Sequence, residues 1–170
     1  AEFSRVIEAL PQDEDALAGR GALRVDLAVF RARRGEETEA LFRSGVDDFR
    51  RAAEAAPHSA IPWIQIGNAK TGWARVEAER GRDPIPLLKD ALEAHEHALS
   101  IEPGNAHAWL SRASTRRELG EIKESRDDAT GLALLVEAEL DLEALLRVHP
   151  RFVAAWVARG RVLQSIASAR

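Results

Sequence analysis

Pro57-His58-Ser59-Ala60-Ile61-Pro62-Trp63-Ile64-Gln65-Ile66-Gly67 is the stretch against which the rest of the chain falls into register. Its skeleton is a Pro, a small polar residue two positions on, Trp six on and Gly ten on. Pro11, Pro57, Pro103 and Pro150 follow one another at 46, 46 and 47 residues by subtraction of their numbers. Six residues after each stands Leu17, Trp63, Trp109 or Trp156, and four further on Gly21, Gly67, Ala113 or Gly160. A period between about 20 and 50 residues marks an array of helical or mixed units, each burying its apolar face against the next. Such arrays present long surfaces rather than closed active sites, so the period points to a binding scaffold and leaves the partner open.

The 170 residues, 45% hydrophobic and 31% charged, suffice for a sizeable core and are too polar for a membrane protein. The longest uncharged runs, such as Thr130 to Val136, are far shorter than the ~20 apolar residues of a membrane span. We expect a soluble chain with no membrane insertion. Lys and Arg number 24 against 28 Asp and Glu, and the two signs are interspersed, so no extended basic surface exists and nucleic acid is not an expected partner. The absence of Cys removes disulfides, thiolate metal sites and cysteine nucleophiles together, and favours a reducing compartment such as the cytoplasm. With no Met and no signal-like start, the sequence reads as a piece of a longer protein.

The expected elements are all helical, since no stretch sustains alternation of apolar and polar residues. Phe3, Val6, Ile7 and Leu10 lie at helical spacing ahead of Pro11 and read as the end of a helix. Asp13, Ser59 and Asn105 are good N-caps for the inner helix of each repeat, while Phe152 breaks that pattern and predicts a less sharp fourth start. Inner helices are predicted from about Glu14 to Arg33 and Ala60 to Arg80, closed by Gly35 and Gly81. Outer helices follow from about Glu36 to Ala55 and Ile85 to Ser100. In the third repeat the inner helix is expected to stop at Gly120, with a longer outer element over Glu121 to His149 broken near Gly131. The expected organisation is one helical-repeat domain over 1–170: the end of a preceding repeat at 1–10, repeats at 11–56, 57–102 and 103–149, and an incomplete repeat at 150–170.

Trp63-x2-Ile66-Gly67 and Trp156-x3-Gly160, with Gly45-x3-Phe49-x2-Ala52 before Pro57 and Ala91-x3-His95-x2-Ala98 before Pro103, resemble the tetratricopeptide repeat pattern W-x2-L-G-x2-Y, A-x3-F, P. The resemblance runs along essentially the whole chain, and it departs in length, because the family unit is about 34 residues. It implies an all-α, right-handed α-solenoid of antiparallel helix pairs. A HEAT- or armadillo-like solenoid is the alternative, since a 46-residue period also suits those repeats.

Candidate chemistry is sparse. Glu93, His95, Glu96 and His97 form the one dense set of ligand-type residues, but only Glu93 and His97 share a helix face, and the run is not H-E-x-x-H. His95 stands where Phe49 stands one repeat earlier, so it reads as a packing residue. No Gly-x-Ser-x-Gly elbow, phosphate loop or dinucleotide fingerprint occurs. We expect no catalytic residues, no metal and no cofactor, and so no enzyme.

What the resemblance implies is a peptide-binding concave surface on the inner helices. Carried over position by position, it names Asp15, Ala18, Ala22 and Val25, then Ile61, Ile64, Asn68 and Thr71, then His107, Leu110, Ser114 and Arg117, then Ala154, Val157, Arg161 and Gln164. The principal candidates are Ile61, Ile64, Asn68, His107, Leu110, Ser114, Arg117, Val157 and Arg161. Arg117 and Arg161 hold groove-facing offsets in successive repeats; solvated arginines are the favoured reading, and convergence on one anion is the alternative. Ile64, Leu110 and Val157 stand where family members that grip chaperone tails carry Lys, which argues against that ligand. The expected function is a non-catalytic scaffold binding a peptide or protein partner; the alternative is a regulatory or sensor array of a larger, bacterial-type protein with a catalytic domain such as a kinase. The apolar residues of the two terminal helices lack expected neighbours, which predicts flanking repeats or a homodimer.

Overall fold

Asp13 accepts a hydrogen bond from the Ala16 amide at 2.7 Å and starts α2, Glu14–Ala32. Asn105 does the same for the His107 and Ala108 amides, both at 3.1 Å, and starts α6, Ala106–Glu124. Phe152 offers no side-chain acceptor to the helix after it, as its apolar ring requires. The computed structural model describes residues 2–169 and resolves them into two units, 2–102 and 103–169. The first holds α1 (Glu2–Ala9), α2, α3 (Glu39–Ala55), α4 (Ile61–Glu79) and α5 (Ile85–Ile101). The second holds α6, α7 (Thr130–Val148) and α8 (Val153–Ser168). No strand occurs among the described residues, and no helix among them is long and apolar enough to cross a membrane.

The inner helices α2, α4 and α6 are each 19 residues long and end in one motif. Gly35 and Gly81 adopt φ of 75° and 73°, and Asp127, another 46 residues on by subtraction, adopts 56°. In each case the amide of that residue bonds to the carbonyl three back, Ala32, Ala78 or Glu124. The next amide bonds to the carbonyl five back, Arg31, Glu77 or Lys123. This is the paired closure that satisfies a helix's last carbonyls, and it requires left-handed backbone, which Gly adopts freely and Asp more readily than most. The expected stop at Gly120 is therefore corrected. Gly120 lies inside α6, and the third outer helix is continuous from Thr130. The third inner helix closes at the position that the period assigns, with Asp in place of Gly. Asp128 then braces the turn: bonds from the Thr130 hydroxyl and amide and from Lys123 Nζ hold its carboxyl well below the usual carboxylate range.

Small residues set the helix crossings instead. A Cβ on Gly21 would sit 2.8 Å from the Phe49 ring and 3.0 Å from the Gly45 carbonyl, and one on Gly45 would sit 2.8 Å from Val25. At Gly67 the obstacle is His95, fully buried at the place Phe49 and Leu142 fill in the neighbouring outer helices. Glu93, Glu96 and His97 are exposed, and His97 lies against Trp63 with centroids 4.1 Å apart. Their neighbour His95 is thus a packing group, as its repeat position indicates.

The Trp position is amphipathic rather than fully buried. Trp63 and Trp109 are half-buried and Trp156 is exposed. Trp109 Nε1 donates to the Pro103 carbonyl at 2.8 Å and Trp156 Nε1 to the Pro150 carbonyl at 2.9 Å. The indole thus ties each helix's second turn to the Pro six residues earlier, while its ring carries an Arg three residues on, Arg112 or Arg159. Trp109→Phe keeps the ring and loses the bond, so it is expected to cost about 1 kcal/mol. Trp109→Ala is expected to cost about 2 to 3 kcal/mol, below the range for a fully buried aromatic. Equilibrium denaturation checks both; equal losses would assign the whole effect to the indole bond.

Candidate peptide-binding surface

In the unit of residues 2–102 the expected groove positions lie on α2 and α4. Ala18, Ala22 and Val25 are half-buried beside Trp63, over a core of Val46, Phe49, Ile66, Ala69 and Ala94. Ile61 and Asn68 are exposed, whereas Ile64 is buried at 8% and Thr71 is buried with its hydroxyl on the Gly67 carbonyl. Ile64 is therefore withdrawn as a contact residue. Its side chain points inward, and Ile64→Glu would place a charge in the core and report on folding rather than on binding.

In the unit of residues 103–169 the arrangement is more open. His107, Leu110, Ser114 and Arg117 line one side of α6, at steps of three and four residues, and Val157, Arg161 and Gln164 line α8. Leu110 is half-buried against the cluster of Leu142, Leu145, Leu146 and Val162, so it is a floor more than a contact. Ser114 is half-buried and Val157 is exposed. His107 packs edge-on against Phe152 with centroids 5.7 Å apart. At the other end of the same helices lies a cleft of about 410 Å³ whose walls include Arg117, Glu121, Glu124, Arg161, Gln164 and Ser165. Arg117 and Arg161 do meet in one cavity, but they do not form a bare anion site. Arg117 Nη1 donates to both carboxylate oxygens of Glu121, at 2.6 and 2.7 Å, and the Ser165 hydroxyl donates to Glu121 Oε1 at 2.5 Å. Two Arg and two Glu balance in charge, and Arg161 is exposed and, among the described residues, outside any ion pair. Glu121 and Ser165 were missed from sequence. Reading Gly120 as a stop placed Glu121 in the outer element, when it lies one turn beyond Arg117 on the same helix.

No protein-family model matches the sequence, and no curated protein does. Solved structures do. The Arabidopsis OM64 TPR domain superposes with a TM-score of 0.58 at 16% identity, over 89% of this chain and 94% of that one. The second TPR domain of human RPAP3, in complex with an HSP70 peptide SGPTIEEVD, gives 0.55 at 15% identity over 88% and 97%. MamA gives 0.56 at 16% identity over 98% and 73%. The chain has the tetratricopeptide-repeat fold. The all-α architecture of helix pairs that the resemblance implies is thereby established, and the HEAT- or armadillo-like alternative falls away. Among the described residues no group of three or more His, Asp or Glu side chains is placed to hold a metal ion.

Proposed function

We propose that this tetratricopeptide chain is a non-catalytic protein-interaction module that takes a peptide on its inner helices, with the cleft between α6 and α8 as the principal seat. The observation that carries the reading is that α6 and α8 bring their groove-offset residues Arg117, Arg161 and Gln164 to one cavity of peptide-side-chain size. The neighbouring fold members support it: besides the RPAP3 complex above, the first TPR of Spaghetti is bound to the HSP90 peptide SRMEEVD. Both of those peptides are acidic. Here the cleft is balanced in charge: Arg117 is paired with Glu121, Arg161 and Glu124 stand outside ion pairs among the described residues, and exposed Val157 lies one turn before Arg161. The ligand that fits is an extended peptide with a single acidic group for Arg161 and apolar residues toward Val157 and Leu110.

An array of heptapeptides, each carrying one Glu or Asp among apolar residues, tests this against the full chain. Peptides that bind are expected to lose about tenfold in affinity on Arg161→Glu at low salt, with the loss shrinking as salt screens the exposed charge. Binders whose affinity is equal for parent and variant would remove the cleft as the seat.

A further inference from the structure

Glu121 occupies the place in the α6–α8 cleft that a ligand's carboxylate would take beside Arg117. Its two carboxylate oxygens accept from Arg117 Nη1 at 2.6 and 2.7 Å, and Oε1 also accepts from the Ser165 hydroxyl of α8 at 2.5 Å. One acid thus joins both walls of the cleft. The Arg117 side chain is only 22% exposed, so little of its guanidinium is left for a second carboxylate. The single hydrogen of the Ser165 hydroxyl could go instead to the Arg161 carbonyl at 3.0 Å, but the shorter contact is the one to Glu121.

The pairing is not a demand of the repeat. At the places of Arg117 and Glu121 the other inner helices carry Val25 and Val29 in α2, Thr71 and Arg75 in α4, and Gln164 and Ser168 in α8. Val25 packs against the core, and the Thr71 hydroxyl turns back to the Gly67 carbonyl. Three inner helices therefore form without an ion pair between these two positions. A pair this exposed also contributes little to stability. Its consequence falls on what enters the cleft.

We propose that Glu121 sets the charge of the peptide: it fills Arg117 and repels a second acid, so the cleft admits a segment with one acidic side chain and rejects one with two. This rests on the α6–α8 cleft being the peptide seat. A first ligand carboxylate pairs with Arg161. A second must either lie beside the Glu121 carboxylate or displace it from Arg117 and Ser165, and like charges brought together at a binding surface cost affinity. Glu124, on the same cleft and outside ion pairs among the described residues, adds to the repulsion.

Glu121→Gln keeps the size of the side chain and removes its charge. Each array peptide that Arg161→Glu weakens is remade with a second Glu at every other position in turn, and its binding to the full chain is read by fluorescence anisotropy at low salt. With the parent, the second Glu is expected to tighten binding at no position. With Glu121→Gln it is expected to tighten binding about tenfold at one position or more, as a newly available charge partner does, and adding Arg117→Gln should abolish that gain. Glu143→Gln makes the same charge change on α7, where Glu143 faces Arg147 and is no part of the cleft wall, and should keep the parent's preference. Thermal melts of Glu121→Gln should match the parent. A parent that binds two-acid peptides more tightly than their one-acid originals overturns the proposal. So does a Glu121→Gln preference no different from that of the parent or of Glu143→Gln, and either result leaves the cleft standing as the seat. Peptides indifferent to Arg161→Glu remove the seat itself, and the charge filter with it.

Discussion

Asp141→Ala is expected to destabilise the unit of residues 103–169 by about 3 kcal/mol, within the range for removing one partner of a buried charge network. Asp141 is 5% exposed and accepts from Arg112 Nε and Nη2 at 2.9 and 2.7 Å and from Arg116 Nη1 at 2.6 Å. Without it, two largely buried guanidinium groups keep their desolvation cost and lose their counter-charge. The same device stands two repeats earlier, where Asp48, 2% exposed, accepts from Arg20 at 2.9 and 2.6 Å and from Arg24 at 2.5 Å. In the middle repeat the period puts Ile66, Lys70 and Ala94 at these places. Ile66 and Ala94 pack together in the core, and Lys70 turns to Asp90 at 2.6 Å. The protein thus carries both solutions to one crossing. Arg112→Ile combined with Asp141→Ala copies the apolar one, and Arg116 retains Glu137 at 3.3 Å. That double variant should recover most of the loss in urea denaturation, because a well-packed apolar pair replaces a buried ion pair at little net cost. A double variant as unstable as Asp141→Ala would mean that the crossing in α6 and α7 cannot close on apolar contacts.

Much of the fold was legible because one 46-residue register governs several kinds of position at once: the Pro, the Trp, the closing residue and the small residue at each crossing. What was misread came from letting a letter outrank the register. Gly35 and Gly81 end helices, whereas Gly21, Gly45, Gly120 and Gly131 allow backbones to approach, and the letter alone does not separate the two uses. Counting 46 from Gly81 leads to Asp127, a residue that tolerates the left-handed backbone needed there. For the site, helix-face arithmetic brought Arg117 and Arg161 to one cleft, yet it did not supply depth. Ala18, Ile64, Leu110 and Val157 share one offset and are half-buried, buried, half-buried and exposed in turn. Direction follows from the residue's number on its helix. Exposure follows from the size and placement of whatever neighbours it, which a single helix does not contain.

Gly131→Val is expected to cost about 3 kcal/mol, the upper part of the usual range for overpacking, because the atoms in the way belong to the backbone. A Cβ there would lie 2.7 Å from the Glu124 amide nitrogen and 2.7 Å from the Gly120 carbonyl oxygen. Neither can rotate aside as the end of a side chain does, so relief requires the start of α7 to move off α6. Leu135, one turn along α7, walls the α6–α8 cleft, so that movement should also weaken whatever peptide binds there. Gly160 supplies the control. It holds the repeat position of Gly21 and Gly67, but no outer helix among the described residues crosses it, and a Cβ there meets nothing within 4 Å. Gly160→Ala inside α8 should therefore stabilise by about 0.5 to 1 kcal/mol through reduced backbone entropy in the unfolded chain. Opposite signs in urea melts of the two variants would establish that close approach, and not a need for flexibility, holds glycine at the α6–α7 crossing. A Gly131→Val chain as stable as its parent would show that α6 and α7 cross more loosely than their carbonyl contacts indicate.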